Sequence, residues 1–213
     1  MLLPKEQHFS EPTKKRQIVL HHTVSNPTGG AEAVWHWWNS NPERIGTHYV
    51  IDYSGNVYLF VEETYWIHHL GIRDNRNTTL NKGSIGIELV AWGGLVKANN
   101  LFYNAGQWTP KGWTAGRVRI ANELVTEYDK EYRSFSAYQS YSKGQIDSLQ
   151  ILLKELCERH NIPKKFNSDM FELSDKALSG EKGIFSHTSY RGDKADIHPQ
   201  KDLIEMLQNL DKN

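Results

Sequence analysis

Cysteine is almost absent from this 213-residue sequence: Cys157 stands alone, which excludes an internal disulfide and any cysteine-rich zinc site. Charge of one sign is not in excess either. Lys plus Arg and Asp plus Glu both total 25, so no overall field draws the chain to nucleic acid or to a membrane surface. No apolar run approaches the length of a membrane span. The opening Met1-Leu2-Leu3-Pro4-Lys5-Glu6 is too short and too polar for the apolar region of a secretory leader. These absences give an expectation of a monomer made in the cytoplasm without a signal peptide, with no membrane insertion and no nucleic-acid partner. Work outside a membrane then requires release by another agent. Internal repeats and low-complexity tracts are also missing, and the length suits one domain with a substantial core.

What the chain does have is aromatic and imidazole side chains, with Trp 7, Tyr 10 and His 10. Aromatics stack on sugar rings, but they are first of all core material. Residues 1–16, with Pro4, Pro12 and Lys14-Lys15-Arg16, read as a polar, loosely ordered N-terminal arm whose basic run is solvated; residues 17–213 form the remaining domain. Gln17-Ile18-Val19-Leu20 is a short strand running into His21-His22. Ala31–Ser40 is helical, with Val34, Trp37 and Trp38 at helical spacing; that stripe reads as core, with one tryptophan available to a groove. Two β-rich runs, 48–52 and 56–61, flank Tyr53-Ser54-Gly55 and predict a hairpin. Ser84–Val90 is a buried-type strand carrying one carboxylate, Glu88, which is costly to bury unless it is paired or at work.

Residues 91–141 read as an excursion of short extra strands. Ser142-Lys143-Gly144-Gln145 has the pattern of a helix capping box. The helix after it carries Ile146, Leu149, Leu152, Leu153, Leu156 and Cys157 on one face, so Cys157 is a core residue. Residues 164–182 are polar with a short helical turn. Gly183-Ile184-Phe185-Ser186-His187 then repeats the opening pattern, a short apolar strand ending in histidine. An amphipathic helix around Leu203–Leu210 closes the chain.

Two strands thus deliver His21 and His187, and Asp196 follows the second after a tight loop. Two imidazoles and a carboxylate suit zinc with one position left for water, which points to hydrolysis of an amide or ester. Glu88 is the candidate base for the water's proton, and Lys194 the candidate cation for the oxyanion. The His-Glu-x-x-His helix of common zinc peptidases is absent.

Five short motifs then occur in order: Ile18-Val19-Leu20-His21-His22-Thr23; Gly46-Thr47-His48-Tyr49-Val50-Ile51 with Ser54-Gly55; His68-His69-Leu70-Gly71; Asn81–Glu88; and His187 to Lys194-Ala195-Asp196. Together they resemble the zinc-dependent N-acetylmuramoyl-L-alanine amidase family, the type-2 amidase and peptidoglycan-recognition-protein fold, over residues 16–90 and 142–200. The resemblance implies an α/β domain with a central mixed β-sheet, helices on both faces and one Zn2+ in a surface groove. It implies His21, His187 and Asp196 as metal ligands, Lys194 at the oxyanion, and Glu88 as the base of the muropeptide-recycling branch. It places His69 in the substrate groove, with Thr47, His48 and Trp66 assigned there beside it, and leaves His22 as a packing neighbour. His48, His68 and His69 each divide between packing and groove, whereas His36 and His160 read as structural. Thr47 occupies the position where short phage amidases have a tyrosine, so Glu88 carries more of the mechanism. The ending departs from the family's, leaving Asp193 and His198 as rival ligands.

The implied reaction cuts the amide between the lactyl group of N-acetylmuramic acid and L-alanine of peptidoglycan. The 91–141 excursion is similar to phage lytic amidases, which suggests a phage or prophage lysin (endolysin). A cytoplasmic muropeptide-recycling amidase and a non-catalytic peptidoglycan-binding module are the alternatives.

Overall fold

The computed structural model describes residues 1–212. The elements in chain order are β1 Gln17–His22, α1 Gly30–Asn39, β2 Tyr49–Ile51, β3 Val57–Leu59, α2 Arg76–Lys82, β4 Ser84–Leu89, β5 Gly94–Ala98, β6 Leu101–Thr109, β7 Gly112–Ile120, β8 Val125–Tyr132, β9 Phe135–Gln139, α3 Lys143–His160, α4 Asp175–Leu178, β10 Gly183–Ser186 and α5 Lys201–Gln208. They form two five-stranded sheets, β10-β1-β4-β2-β3 and β7-β6-β5-β9-β8.

The first sheet is mixed. Strands β10, β1, β4 and β2 are mutually parallel, and β3 returns antiparallel to β2 as the expected hairpin. Both faces are covered, which explains the nearly continuous apolar character of β1, β4 and β10. Alternation along the strands sorts their side chains. Ile18, Leu20, Ile85, Ile87, Leu89 and Ile184 face α3 and α5, where they meet Leu149, Leu153, Leu156, Leu203 and Leu207. Val19 and Phe185 face the opposite way, toward Leu80 of α2 and Ala177 of α4. Val34 and Trp38 of α1 pack on the same side, against Val50, Phe60 and Val90.

Helix α3 has the predicted capping box: the Ser142 Oγ accepts from the Gln145 amide, and the Gln145 Oε1 accepts from the Ser142 amide at 3.1 Å. It ends at Asn161 in the left-handed conformation, φ 52°, a geometry asparagine tolerates. Cys157 is buried on the core face of α3, as its spacing implied.

Two expectations change. The excursion is more than scattered short strands. It is an antiparallel sheet with its own small core of Leu95, Phe102, Ile120 and Ala137. Two of its turns, Asn99-Asn100 and Arg133-Ser134, have positive φ at both central residues, the signature of tight hairpins. The β8–β9 turn reaches the loop that follows β10. The Tyr132 hydroxyl lies 3.2 Å from the carbonyls of Phe171 and Ile197, and Arg133 donates to the Gly192 carbonyl at 3.0 Å.

The N-terminal arm, expected to be loose, is docked on the domain. Leu3 is buried and its amide donates to the Phe60 carbonyl. Phe9 stacks on Trp66 with ring centroids 3.8 Å apart. Within the basic run, Lys15 is not solvated. It is 1% exposed, and its ammonium donates to the carbonyls of Tyr65 at 2.7 Å and Lys82 at 3.1 Å. A polar arm is ordered here because its few apolar residues and one lysine find partners distant in sequence, which composition does not reveal.

Burial lowers the Lys15 pKa to about 7. Between that value and the unfolded value near 10.4, the unfolded chain holds a proton that the folded one lacks, so stability rises with pH. Histidines whose folded pKa values are lowered by burial add to the rise up to about pH 7.5, and the unfolded thiol of Cys157 starts to ionise near pH 8.5, so the clean window is about pH 7.5 to 8.5. Urea unfolding should show a gain of about 1 kcal/mol across that window, and Lys15→Met should remove most of it. An equal gain in the variant would assign the effect to another group.

Candidate active site

Strand parity builds the site. His21 continues the Val19 face of β1, His187 follows Phe185 on the same face of β10, and Glu88 takes that face on β4. The register pairs His21 with Glu88, and Leu20 with Ser186 one step before His187. The three side chains therefore form a row across adjacent parallel strands at their carboxyl ends, the usual ligand edge of such sheets. The loop after β10 returns to place Asp196 beside them. His22, one residue on, points to the opposite face, where its Nδ1 lies 3.0 Å from the Tyr141 hydroxyl.

Asp196 Oδ2 lies 3.1 Å from His21 Nδ1 and 2.9 Å from His187 Nδ1. One ligand atom each from these three residues falls within 4.8 Å of the others. The outer nitrogens of both rings fix their tautomers. His187 Nε2 donates to the Leu70 carbonyl at 2.8 Å, so its Nδ1 is bare. On the other side, Ser84 Oγ gives its proton to the Leu80 carbonyl at 2.7 Å and must accept from His69 Nε2 at 2.9 Å. His69 Nδ1 is then bare and accepts from His21 Nε2 at 3.0 Å, leaving His21 Nδ1 bare as well.

In these tautomers two nitrogen lone pairs and a carboxylate oxygen face one another, a donor set that a metal ion between them would complete. Protonated imidazole does not supply a positive charge at neutral pH on the His21 side, because burial, reinforced by His187, lowers the His21 pKa to about 4. The donor set fits a metal ion.

Glu88 stands beside this centre with Oε2 shut away from solvent and without a hydrogen-bond partner. Burial first, and the Asp196 charge second, raise its pKa well above the ordinary value, while Lys194 opposes them. An unpartnered carboxylate costs stability unless something at the site uses it. Glu88, Lys194 and the His–His–Asp centre all line one groove of ≈ 840 Å³, large enough for a ligand of several residues.

The remaining sequence candidates fall out differently. Thr47 lines the groove floor, but its hydroxyl is committed to the Tyr49 carbonyl at 2.9 Å. His69 borders the groove mainly as the partner of His21, packed so close to β4 that a Cβ on Gly86 would lie 3.1 Å from its Nδ1. His48 and Trp66 do not line the groove. His48 is fully buried, accepting from the Gly86 amide at 3.1 Å and approaching the Tyr65 carbonyl. Trp66 stacks on Phe9, and its indole donates to Glu11.

The rivals to Asp196 are engaged elsewhere. Asp193 is held by Arg191 and Arg73. His198 is fully buried between the rings of Tyr138 and Tyr141, with Nδ1 2.7 Å from the Tyr128 hydroxyl. His36 is exposed and paired with Glu32, and His160 is paired with Glu63. Sequence reading missed Ser84 as the far end of the His21 support, and underrated Trp37. That residue is 60% exposed and lines the groove instead of joining Val34 and Trp38 in the core.

A mixed α/β sheet with a His–His–Asp centre and a shielded glutamate in an open groove defines a hydrolase. The family model described as N-acetylmuramoyl-L-alanine amidase matches residues 11–200, and the chain belongs to that amidase family, whose enzymes act on peptidoglycan. Among solved structures it is similar to PlyL, at 12% identity and TM-score 0.54, over 98% of this chain and 94% of that one. The catalytic domain of XlyA matches at 15% identity and TM-score 0.53, over 99% and 98%. AmiD from E. coli, solved as a complex with anhydro-N-acetylmuramic acid-L-Ala-D-gamma-Glu-L-Lys, matches at 16% identity and TM-score 0.52, over 93% of this chain and 59% of that one. At these identities the likeness is one of fold. No curated protein matches by sequence.

Removing an outer partner of a metal-binding histidine typically weakens metal affinity about 10- to 100-fold. His69→Phe should do so here, measured by competition with a chromophoric chelator, with Ser84→Ala giving a smaller loss in the same direction. Unchanged affinity in both variants would show that the relay does not set the His21 tautomer.

Proposed function

We propose that this chain is a one-zinc amidase that cuts the bond between the lactyl group of N-acetylmuramic acid and L-alanine in polymeric cell wall, acting as a monomeric phage or prophage lysin. In this reading His21, His187 and Asp196 hold the ion. Bound there, zinc would supply an acidified water and polarise the scissile carbonyl. The observation that carries the reading is the inward-facing acceptor set beside the unpartnered Glu88.

Glu88 takes a proton from the attacking water and later delivers it to the departing alanine nitrogen, a role suited to a carboxyl whose pKa lies above its usual range. Lys194 lies on the groove close enough to Glu88 and His21 to bias both. It places a positive charge where the tetrahedral oxyanion develops. Thr47 plays no part in proton transfer, because its hydroxyl is already bonded. One feature favours polymer over small muropeptides: the groove is open at the surface. No helix among the described residues is long and apolar enough to cross a membrane. In this reading the chain is made in the cytoplasm, does not insert into the membrane and meets the wall after release.

Purified protein should carry one zinc per chain by elemental analysis, and mass spectrometry should detect stem peptides released from intact sacculi. Cleavage of soluble muropeptides alone would favour the recycling role, and wall binding without any cleavage would leave a recognition module. Glu88→Gln should keep its zinc and lose about 10²- to 10⁴-fold in kcat. Retained turnover would remove Glu88 as the base.

A further inference from the structure

The groove extends beyond the groups that the reaction uses. Part of its wall comes from α1 and the turn after β1, where Val24 and Trp37 are 61% and 60% exposed. Neither packs into the core. The Trp37 ring stacks on no other ring among the described residues, while its helix neighbours Val34 and Trp38 are buried.

Val24 is also held in an unusual way. Its φ is 52°, a left-handed conformation that costs a β-branched residue about 1–3 kcal/mol and persists only where the surroundings enforce it. Here they do. The amides of Thr23 and Ser25, on either side, donate to the Leu89 and Ala91 carbonyls at 3.1 and 3.2 Å, and Ser25 Oγ donates to Thr23 Oγ1 at 2.7 Å. A pinned turn thus displays an isopropyl group on the same groove as a free indole.

The lining is divided by charge as well. The loop after β10 contributes Arg191 and Lys194, whereas α1 and residues 43–47 contribute apolar groups and one acid, Glu43. The substrate of an N-acetylmuramoyl-L-alanine amidase is divided in the same sense. A neutral sugar ring with an apolar C–H face lies on one side of the scissile amide, and a peptide bearing carboxylates lies on the other. A carboxylate would be repelled from the Glu43 part of the groove. A pyranose ring is suited to it, because its C–H face packs on an indole as other apolar groups do.

We infer that Trp37, with Val24 on the same groove, is the platform on which the muramyl sugar ring stacks, and that this contact sets a preference for sugar-bearing substrate. The inference rests on the amidase reading above. The α1 wall is continuous with the catalytic groove, so a chain clamped at the metal centre through its lactyl amide extends its sugar along the same surface.

The test compares two substrates with the same scissile bond, N-acetylmuramoyl-L-alanyl peptide and D-lactoyl-L-alanyl peptide, which lacks the sugar ring. Trp37→Ala should raise KM for the first about tenfold, the usual scale for losing a central aromatic contact. It should leave kcat within about twofold and the second substrate unaffected. Trp37→Phe should restore most of the loss. Val24→Gly, which relieves the strained backbone, should raise KM for the muramyl substrate alone without lowering the melting temperature. Independently of turnover, titration with N-acetylmuramic acid should shift the Trp37 indole N–H resonance in nuclear magnetic resonance spectra. If wild-type protein cleaves both substrates and Trp37→Ala changes neither KM, or raises both equally, the inference is overturned and the amidase reading survives. If wild-type protein cleaves neither substrate, both fall together.

Discussion

Three electron-pair donors turned toward one point are the constraint on which this structure depends. His21 Nδ1, His187 Nδ1 and the Asp196 carboxylate are brought within 4.8 Å of one another, and the fold spends several buried hydrogen bonds on keeping them there. The Leu70 carbonyl fixes one ring. The His69–Ser84–Leu80 relay fixes the other from three residues that have no chemistry of their own to perform. Such outer partners raise ligand basicity and lock ring orientation. They hold the three atoms together as a set that could bind an ion.

Much of this was legible in the sequence, and the reason is strand periodicity. In β1, β4 and β10 the alternation of side chains assigns His21, Glu88 and His187 to one face as soon as the three segments are read as neighbouring parallel strands. The apolar character of those segments requires a sheet covered on both sides. The same alternation sends His22 the other way. The capping box of α3 and the core stripe ending in Cys157 were readable for the same reason, because both are patterns local in sequence.

What the sequence did not disclose depends on long-range partners. Lys15 reads as solvent-exposed until the Tyr65 and Lys82 carbonyls are seen to enclose its ammonium. Trp66 reads as a groove residue until Phe9, from an arm of polar composition, is found lying on it. His48 and His69 have similar local contexts, yet one is walled in by the Gly86 amide and the other touches His21. Glycine at 86 is what allows His69 to approach that near, and only packing distance reveals it. The second sheet was visible as strands but not as a sheet, since its pairing runs through hairpins whose register no short pattern specifies.

That second sheet has a consequence for how the catalytic loop is kept in place. The segment after β10 is bonded to the β8–β9 turn through Arg133 at Gly192 and Tyr132 at Ile197, and His198 is wedged between Tyr138 and Tyr141. The segment that looks most like an ornament on the amidase core is therefore its outer buttress. The loop bearing Asp196 and Lys194 borrows rigidity from strands formed some sixty residues earlier in the chain. Local opening of that sheet would leave the loop only its tethers to the first sheet's side, at Leu70, Gly71 and Arg73, so motion in one part of the molecule is felt in the other.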